Sequence, residues 1–414
     1  MLIARLPEWS RWILLAATAS LPFHELTLKV GSIGLRPFES LLFVAFVLVL
    51  PAVWRDRPTW LRRRTFDVEV AALLVLGAAA VLIAPGPGES VRVFRLVILE
   101  SAVYYVLISR LFETSIERQR LVAALVLGGT IVGLYGLSTL ITEYGLVEAE
   151  GVVRISGAYR SPNNLALFLD RCIPFAVAFA LTQRGRWRSA AITSAVVLLV
   201  AQAATFSIGG WLATGVAVVT VAALLQQRRI LLAIGVLGGL TVAVLAVWRP
   251  ERIMSHLDPS AASTSGLRVT LWRSALEMLW DFPLFGVGLD NFVYQYNPAR
   301  GGTYLTPAGW REPDLSHPHN LFIDWWLSLG VLGFLLLIRI LVKTIRLSIL
   351  AARAPTPVST DRALTLGAIG ALIATLIHGS IDNSFFLPDL AAVWWLVLVV
   401  LTPAVSDPGE KSSQ

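Results

Sequence analysis

The sequence predicts an all-α, polytopic membrane protein of about twelve transmembrane helices, with a long loop on the outer face that holds amphipathic helices. Three observations predict it. Of 414 residues, 56% are hydrophobic and only 15% charged, which is too apolar for an ordinary soluble domain. The apolar residues gather into runs of bilayer length. Between the runs, Lys and Arg concentrate in every second connection, as an orientation signal requires.

A spanning helix needs about 20 mostly apolar residues. Such runs fall at 10–27, 36–54, 66–84, 91–111, 120–142, 162–183, 189–207, 209–227, 229–248, 318–338, 362–380 and 388–404. Arg5 and Arg11 precede a short apolar stretch ending in Ala17-Thr18-Ala19, in the manner of a secretory signal. That stretch, Ile13 to Ala19, is short for a signal core and is read as part of a retained span. The block 189–227 is divided at Ser207-Ile208-Gly209-Gly210, where paired glycines are expected to supply a tight hairpin turn.

Arg55, Arg57, Arg62, Arg63 and Arg64 lie in the second connection, Arg110, Arg118 and Arg120 in the fourth, and Arg184, Arg186 and Arg188 in the sixth. Arg228 and Arg229 follow in the eighth, and Lys343, Arg346, Arg353 and Arg362 crowd the tenth. The alternation places both termini in the cytoplasm. The expected organisation is therefore 1–248 as the first nine helices, 249–317 as a large outer loop, 318–405 as the last three helices, and 406–414 as a disordered tail. Within the large loop, Leu267, Leu271, Ala275 and Met278 follow helical spacing, with Trp272, Leu276 and Leu279 widening the stripe. This predicts an amphipathic helix on the membrane surface, with Ser265 as N-cap and Pro283 closing the pattern after Asp281.

The net charge of +7 sits in short Arg clusters rather than on one patch, so nucleic acid is not the expected partner and membrane lipid is. A lone cysteine, Cys172, excludes an intrachain disulfide and a Cys-based metal site. Walker, Rossmann, HExxH and zinc-spaced patterns are absent, and no cofactor or metal is expected.

Orientation does not call for basic residues in outer loops, yet Arg154, Arg160, Arg249, Arg252, Arg268, Arg273, Arg300 and Arg311 lie there. The planar guanidinium suits bidentate contact with phosphate oxygens, which points to a lipid-linked phosphate or pyrophosphate; contact with anionic headgroups is the plainer alternative. His317-Pro318-His319-Asn320 opens the tenth span, with Pro318 in a first-turn position. A neutral His319 at a helix N-terminus could accept a proton from a hydroxyl. His24, His256 and His378 read as packing or interfacial residues. Asp170 and Arg171 fall mid-span, where a charge faces a bundle interior or a cavity. Adjacent helical positions point about 100° apart, so the two are not expected to pair. Arg95 and Glu100 read as packing or interface residues.

Three segments, in this order, resemble the O-antigen ligase and O-antigen polymerase superfamily of bacterial envelope glycan enzymes. They are Ser156-Gly157-Ala158-Tyr159-Arg160-Ser161-Pro162-Asn163-Asn164-Leu165-Ala166, then Arg268-Val269-Thr270-Leu271-Trp272 leading to Asp281-Phe282-Pro283-Leu284-Phe285-Gly286-Val287-Gly288-Leu289-Asp290-Asn291-Phe292, and His317-Pro318-His319-Asn320-Leu321-Phe322 running into Gly330-Val331-Leu332-Gly333. Gly286-Val287-Gly288 would mean little alone. The resemblance implies a helical fold similar to the GT-C transferases. It implies a metal-independent, inverting glycosyltransferase of the bacterial inner membrane, working on its outer face. The donor would be an undecaprenyl-pyrophosphate-linked glycan, and the acceptor lipid A core for a ligase or another lipid-linked glycan for a polymerase.

By motif match, Arg268 would hold the donor pyrophosphate, and His319 would deprotonate the acceptor hydroxyl or stabilise the departing pyrophosphate. Arg273 is a further candidate contact, and Asn163, Asn320, His317 and Asp170 are expected in support. Family members commonly carry Ser-Arg-Gly between the seventh and eighth spans, whereas this chain has Ser207-Ile208-Gly209. A pyrophosphate contact is then missing, or Arg154, Arg160 or Arg171 replaces it. A flippase or transporter for a lipid-linked sugar, or a non-catalytic assembly partner, are the readings from other classes.

Overall fold

The computed structural model describes residues 2–30, 33–149, 152–248, 264–296, 302–304, 317–353 and 359–404. Arg249, Arg252, His256, Arg300 and Arg311 lie outside these residues, as do the side chains of Ser265 and Leu267.

The described chain is mostly helical, and a helix covers each of the apolar runs. The elements are α1 (Leu2–Ser20), α2 (Pro37–Arg55), α3 (Arg57–Leu61), α4 (Asp67–Ile83), α5 (Pro87–Val93), a π-helical turn (Phe94–Leu99) continuing into α6 (Glu100–Leu111), α7 (Ser115–Thr142), α8 (Pro162–Thr182), α9 (Gly185–Ala204), α10 (Ile208–Leu224) and α11 (Arg228–Trp248). They continue with α12 (Thr264–Asp281), α13 (Phe292–Tyr296), α14 (Leu321–Arg353), α15 (Ser359–Gly379) and α16 (Pro388–Leu401). Six helices in the described residues are long and apolar enough to cross a membrane: Pro37–Arg55, Ser115–Thr142, Pro162–Thr182, Gly185–Ala204, Leu321–Arg353 and Thr360–Gly379. Two short antiparallel ribbons, β1 (Leu28–Val30) with β2 (Ile33–Leu35) and β3 (Val147–Ala149) with β4 (Val152–Arg154), decorate connections.

Helix α8 is the centre of the bundle, packed by α15, α9, α10 and α7. Apart from Asp170 and Arg171 its middle is apolar on every side, and from Leu165 to Ala180 each residue is buried. One buried charge in the bundle is doubly paired. Glu69 on α4 is fully buried and meets Arg339 Nε and Lys343 Nζ of α14, each at 3.0 Å. Such pairing offsets the desolvation that an isolated carboxylate would suffer. Arg95 pairs with Glu39 and lies 3.3 Å from Glu100, a packing role.

Several local expectations change. The turn between α9 and α10 takes its left-handed residue from Phe206 (φ 49°), not from the paired glycines. Those glycines sit in the first turn of α10, capped by Ser207 Oγ, and allow close approach. A Cβ at Gly209 would meet Ile381 and His378, and one at Gly210 would meet Gln202 and Ala166. Helix α12 ends at Asp281 as the sequence predicts, but its apolar stripe is not laid on a membrane. Leu271, Ala275 and Met278 are buried against Leu327 of α14 together with Val287 and Phe292. Leu276, expected in that stripe, faces outward beside Trp280.

The segment after α12 locks this arrangement. Helix α14 is broken at Gly330 (φ 70°, ψ −174°), which frees backbone groups for an outside partner. The loop fills the break: Val287 N donates to Leu327 O at 2.7 Å, and Val331 N donates to Leu284 O at 3.1 Å. Gly286 (φ 69°) is required there, since a Cβ would run into the Leu327 carbonyl. Asn291 then fastens the loop to α5, accepting from Gly86 N at 2.7 Å and donating to Ser90 Oγ at 2.6 Å.

Candidate active site

The connection between α15 and α16, Ser380 to Leu387, carries a residue that sequence reasoning missed. Asp382 is buried, and its Oδ1 lies 2.6 Å from His319 Nδ1. Its Oδ2 has no hydrogen-bond partner and faces Arg268 Nη2 at 3.6 Å. Thus Arg268 and His319, the two residues singled out from separate motifs, meet on one carboxylate. The side chains of Arg268 and His319 stay 21% and 18% exposed, enough to meet a substrate, whereas that of Asp382 is 2% exposed. Burial alone would raise the Asp382 carboxyl, but His319, Arg268 and His378 hold it well below the usual carboxylate range.

Local structure fixes the imidazole. Pro318 and His319 precede α14 rather than opening it, because Asn320 is the N-cap. Its Oδ1 accepts from Phe322 N at 3.0 Å and Ile323 N at 3.1 Å, the usual economy of a helix start. Asn320 Nδ2 reaches across to Ser380 O at 2.8 Å, binding the helix start to the loop that carries Asp382. His319 occupies the left-handed region (φ 53°), which turns the chain before the cap, and its carbonyl accepts from Trp272 Nε1 of α12 at 3.3 Å. With Nδ1 committed to the carboxylate, Nε2 is the ring atom left for a substrate.

The His317 ring lies 4.6 Å from the His319 ring. Burial and the neighbouring imidazole lower the His317 pKa to about 3, with Asp382 opposing, so His317 is uncharged at neutral pH. His317, His319 and Asp382 bring potential ligand atoms within 4.8 Å of one another, a set that could hold a divalent cation. Arg268 already places a fixed positive charge against the same carboxylate, and His319 Nδ1 is already engaged.

A buried polar layer lies beneath. Arg171 is fully buried and donates to Leu167 O and, through Nη2, to Ser384 O at 2.9 Å and Ser384 Oγ at 2.7 Å. It braces the Asp382 loop and faces no open space. Contrary to expectation, it also lies 3.5 Å from Asp170, whose other oxygen sits 2.6 Å from His378 Nδ1. The side chains curl towards each other, which overrides the 100° between their helix positions. Tyr159 from the first motif donates to Asp389 Oδ2 of α16 at 2.7 Å, with the His24 ring tilted against it at 5.4 Å. Burial, then Asp389, push the Tyr159 phenol well above its ordinary range, so it remains a donor.

Arg154 donates through Nε to Thr205 O at 2.7 Å, in the turn before Ile208, and through Nη2 to Asn163 Oδ1 at 2.8 Å. Arg160 is almost wholly exposed, 3.4 Å from Glu25. Arg273 is exposed on α12. The first turn of α10 approaches the Asp382 loop through Gly209 and Ile381, and Arg154 holds the turn that precedes it.

Comparison with known proteins agrees with the motifs. The O-antigen ligase family profile matches residues 193–338, a stretch containing both Arg268 and His319. The exopolysaccharide production protein ExoQ of Rhizobium meliloti (strain 1021) is 28% identical over 244 residues, 55% of this chain and 54% of that protein. The chain therefore matches only about half the length of that relative. An O-antigen ligase of Salmonella typhimurium (strain LT2) is 25% identical over 333 residues, covering 76% of this chain and 78% of the relative. By profile, relatives and motif order together, the chain is similar to O-antigen ligases.

Proposed function

We propose that the protein is a metal-independent glycosyltransferase, working on the outer face of the bacterial inner membrane with about twelve spans and cytoplasmic termini, in a GT-C-like fold. The donor is a glycan linked to undecaprenyl pyrophosphate, and the acceptor is a hydroxyl, that of lipid A core for a ligase. His319 Nε2 takes the acceptor proton while Nδ1 stays on Asp382, which orients the ring and stabilises the imidazolium that forms. The acceptor oxygen bonds to the anomeric carbon as the bond to the pyrophosphate oxygen breaks, which inverts that centre. Undecaprenyl pyrophosphate leaves with its charge met by Arg268. Arg154, beside the turn where Ile208 stands in place of the family arginine, is the replacement contact, and Arg160 and Arg273 are outer contacts. Arg171 is assigned to bracing the Asp382 loop.

The observation that supports this reading best is the convergence of Arg268 and His319 on the two oxygens of Asp382. The relative named as an exopolysaccharide production protein favours a second reading, in which another lipid-linked glycan is the acceptor and the product is a polymer. Reconstituted protein given a lipid-linked donor and acceptor should release undecaprenyl pyrophosphate, and should do so equally after treatment with EDTA. His319→Ala should lower turnover about 10²–10⁴-fold at unchanged abundance. Movement of donor across the bilayer without release would identify a flippase instead.

A further inference from the structure

Helix α16, 14 residues long, begins at Pro388 beside the loop that carries Asp382 and ends at Leu401. At about 1.5 Å per residue its far end is roughly 21 Å away. There a cavity of about 300 Å³ opens, lined among others by Arg62, Arg63, Arg64, Arg118, Glu113 and Thr402. The described lining thus has four guanidinium groups and one carboxylate. Glu113 is taken up by Arg64. Arg64 Nε is buried with no partner.

Arg118 is buried, yet its hydrogen bonds run to neutral oxygens: the carbonyls of Phe112, Thr402 and Pro403 and the Thr402 hydroxyl. These contacts orient the guanidinium, and of the carboxylates whose charge reaches it, Asp361, Glu113 and Glu117, the last two are engaged by Arg64 and Arg11. A pocket with this surplus calls for an anion with several acceptor oxygens, for which arginine forks are suited. The surroundings point to a lipid. Leu61, next in the chain to Arg62, is 80% exposed, offering apolar surface for acyl chains. Basic pockets between helices at a leaflet boundary recognise acidic headgroups.

We propose that this cavity, remote from His319, is a binding site for the phosphate headgroup of an acidic phospholipid of the adjoining leaflet. The site is independent of the transfer reaction, because its readout is binding. Delipidated full-length protein in detergent would be titrated with phosphatidylglycerol, phosphatidylcholine and inorganic phosphate, followed by native mass spectrometry and thermal melting. Wild type should retain one phosphatidylglycerol in preference to phosphatidylcholine and melt higher with it. The double variant Arg62→Gln/Arg63→Gln, which changes exposed side chains, should bind it roughly tenfold or more weakly while melting as wild type does without lipid. Arg228→Gln/Arg229→Gln, a charge loss elsewhere on the predicted same side, should leave binding intact. Equal loss in both variants would mean unspecific surface attraction and would overturn the proposal. So would unchanged binding in the first variant, or saturation by inorganic phosphate with no retention of lipid.

Discussion

A carboxylate that meets an imidazole on one oxygen and a guanidinium on the other is held ionised by both, and Asp382 is in that position despite burial. Its folded-state pKa is depressed, so its contribution to stability is present above the unfolded value near 4 and is lost as pH falls below it. The advantage of wild type over Asp382→Asn in melting temperature should therefore be clear at pH 7 and narrow below about pH 4. An equal gap at both pH values would contradict the assignment. At neutral pH the same variant should lower transfer about 10²-fold or more, since the ring loses its orienting partner. His319 stands out in the sequence as a histidine at a span boundary, whereas Arg268 is separated from the other outer-loop arginines by the family motif it resembles. Asp382 was not legible, because its partner is 63 residues away and no spacing rule joins them. The one available signal was an Asp-Asn pair in a short connection on the same predicted side as His319.

Elements supply the accuracy that single residues lack. Arg268 rides on α12 and His319 precedes α14, and the two are kept in register by the Leu284–Gly288 loop seated in the break at Gly330. The sequence showed the glycines but not their purpose, which is a close approach of two backbones distant in the chain. Gly286→Ala should cost more than about 2 kcal/mol, from left-handed strain together with a clash against the Leu327 carbonyl. Gly235→Ala, in exposed helix α11 with open space about it, should be neutral or slightly stabilising. Thermal melting in detergent distinguishes them, and comparable losses would remove the glycine argument. The β3–β4 ribbon places Arg154 at the α9–α10 turn in a similar way. Arg154→Ala should impair donor use well beyond Arg160→Ala, whose side chain is 93% exposed; equal effects in a donor titration would leave the gap at Ile208 unfilled.

At the scale of the molecule, the apolar runs and the alternation of basic connections made the helices legible, because bilayer thickness and charge asymmetry are written directly in composition. Helix order within the bundle was not legible, since an apolar run such as α8 does not name its neighbours. The orientation itself is open to a direct test that the chain's chemistry favours. Its lone cysteine, Cys172, is fully buried, so the background towards a membrane-impermeant maleimide should be low without further engineering. Arg160→Cys lies on the active-site side and Arg62→Cys beside the basic cavity, both at exposed positions. In intact spheroplasts Arg160→Cys should label and Arg62→Cys should not, whereas both should label after permeabilisation. The reverse pattern would put His319 in the cytoplasm, away from a glycan already carried across the membrane, and the acidic-lipid cavity in the opposite leaflet. Labelling of both in intact spheroplasts would instead show that α4 to α7 do not carry the chain from one face to the other in the order the basic residues require.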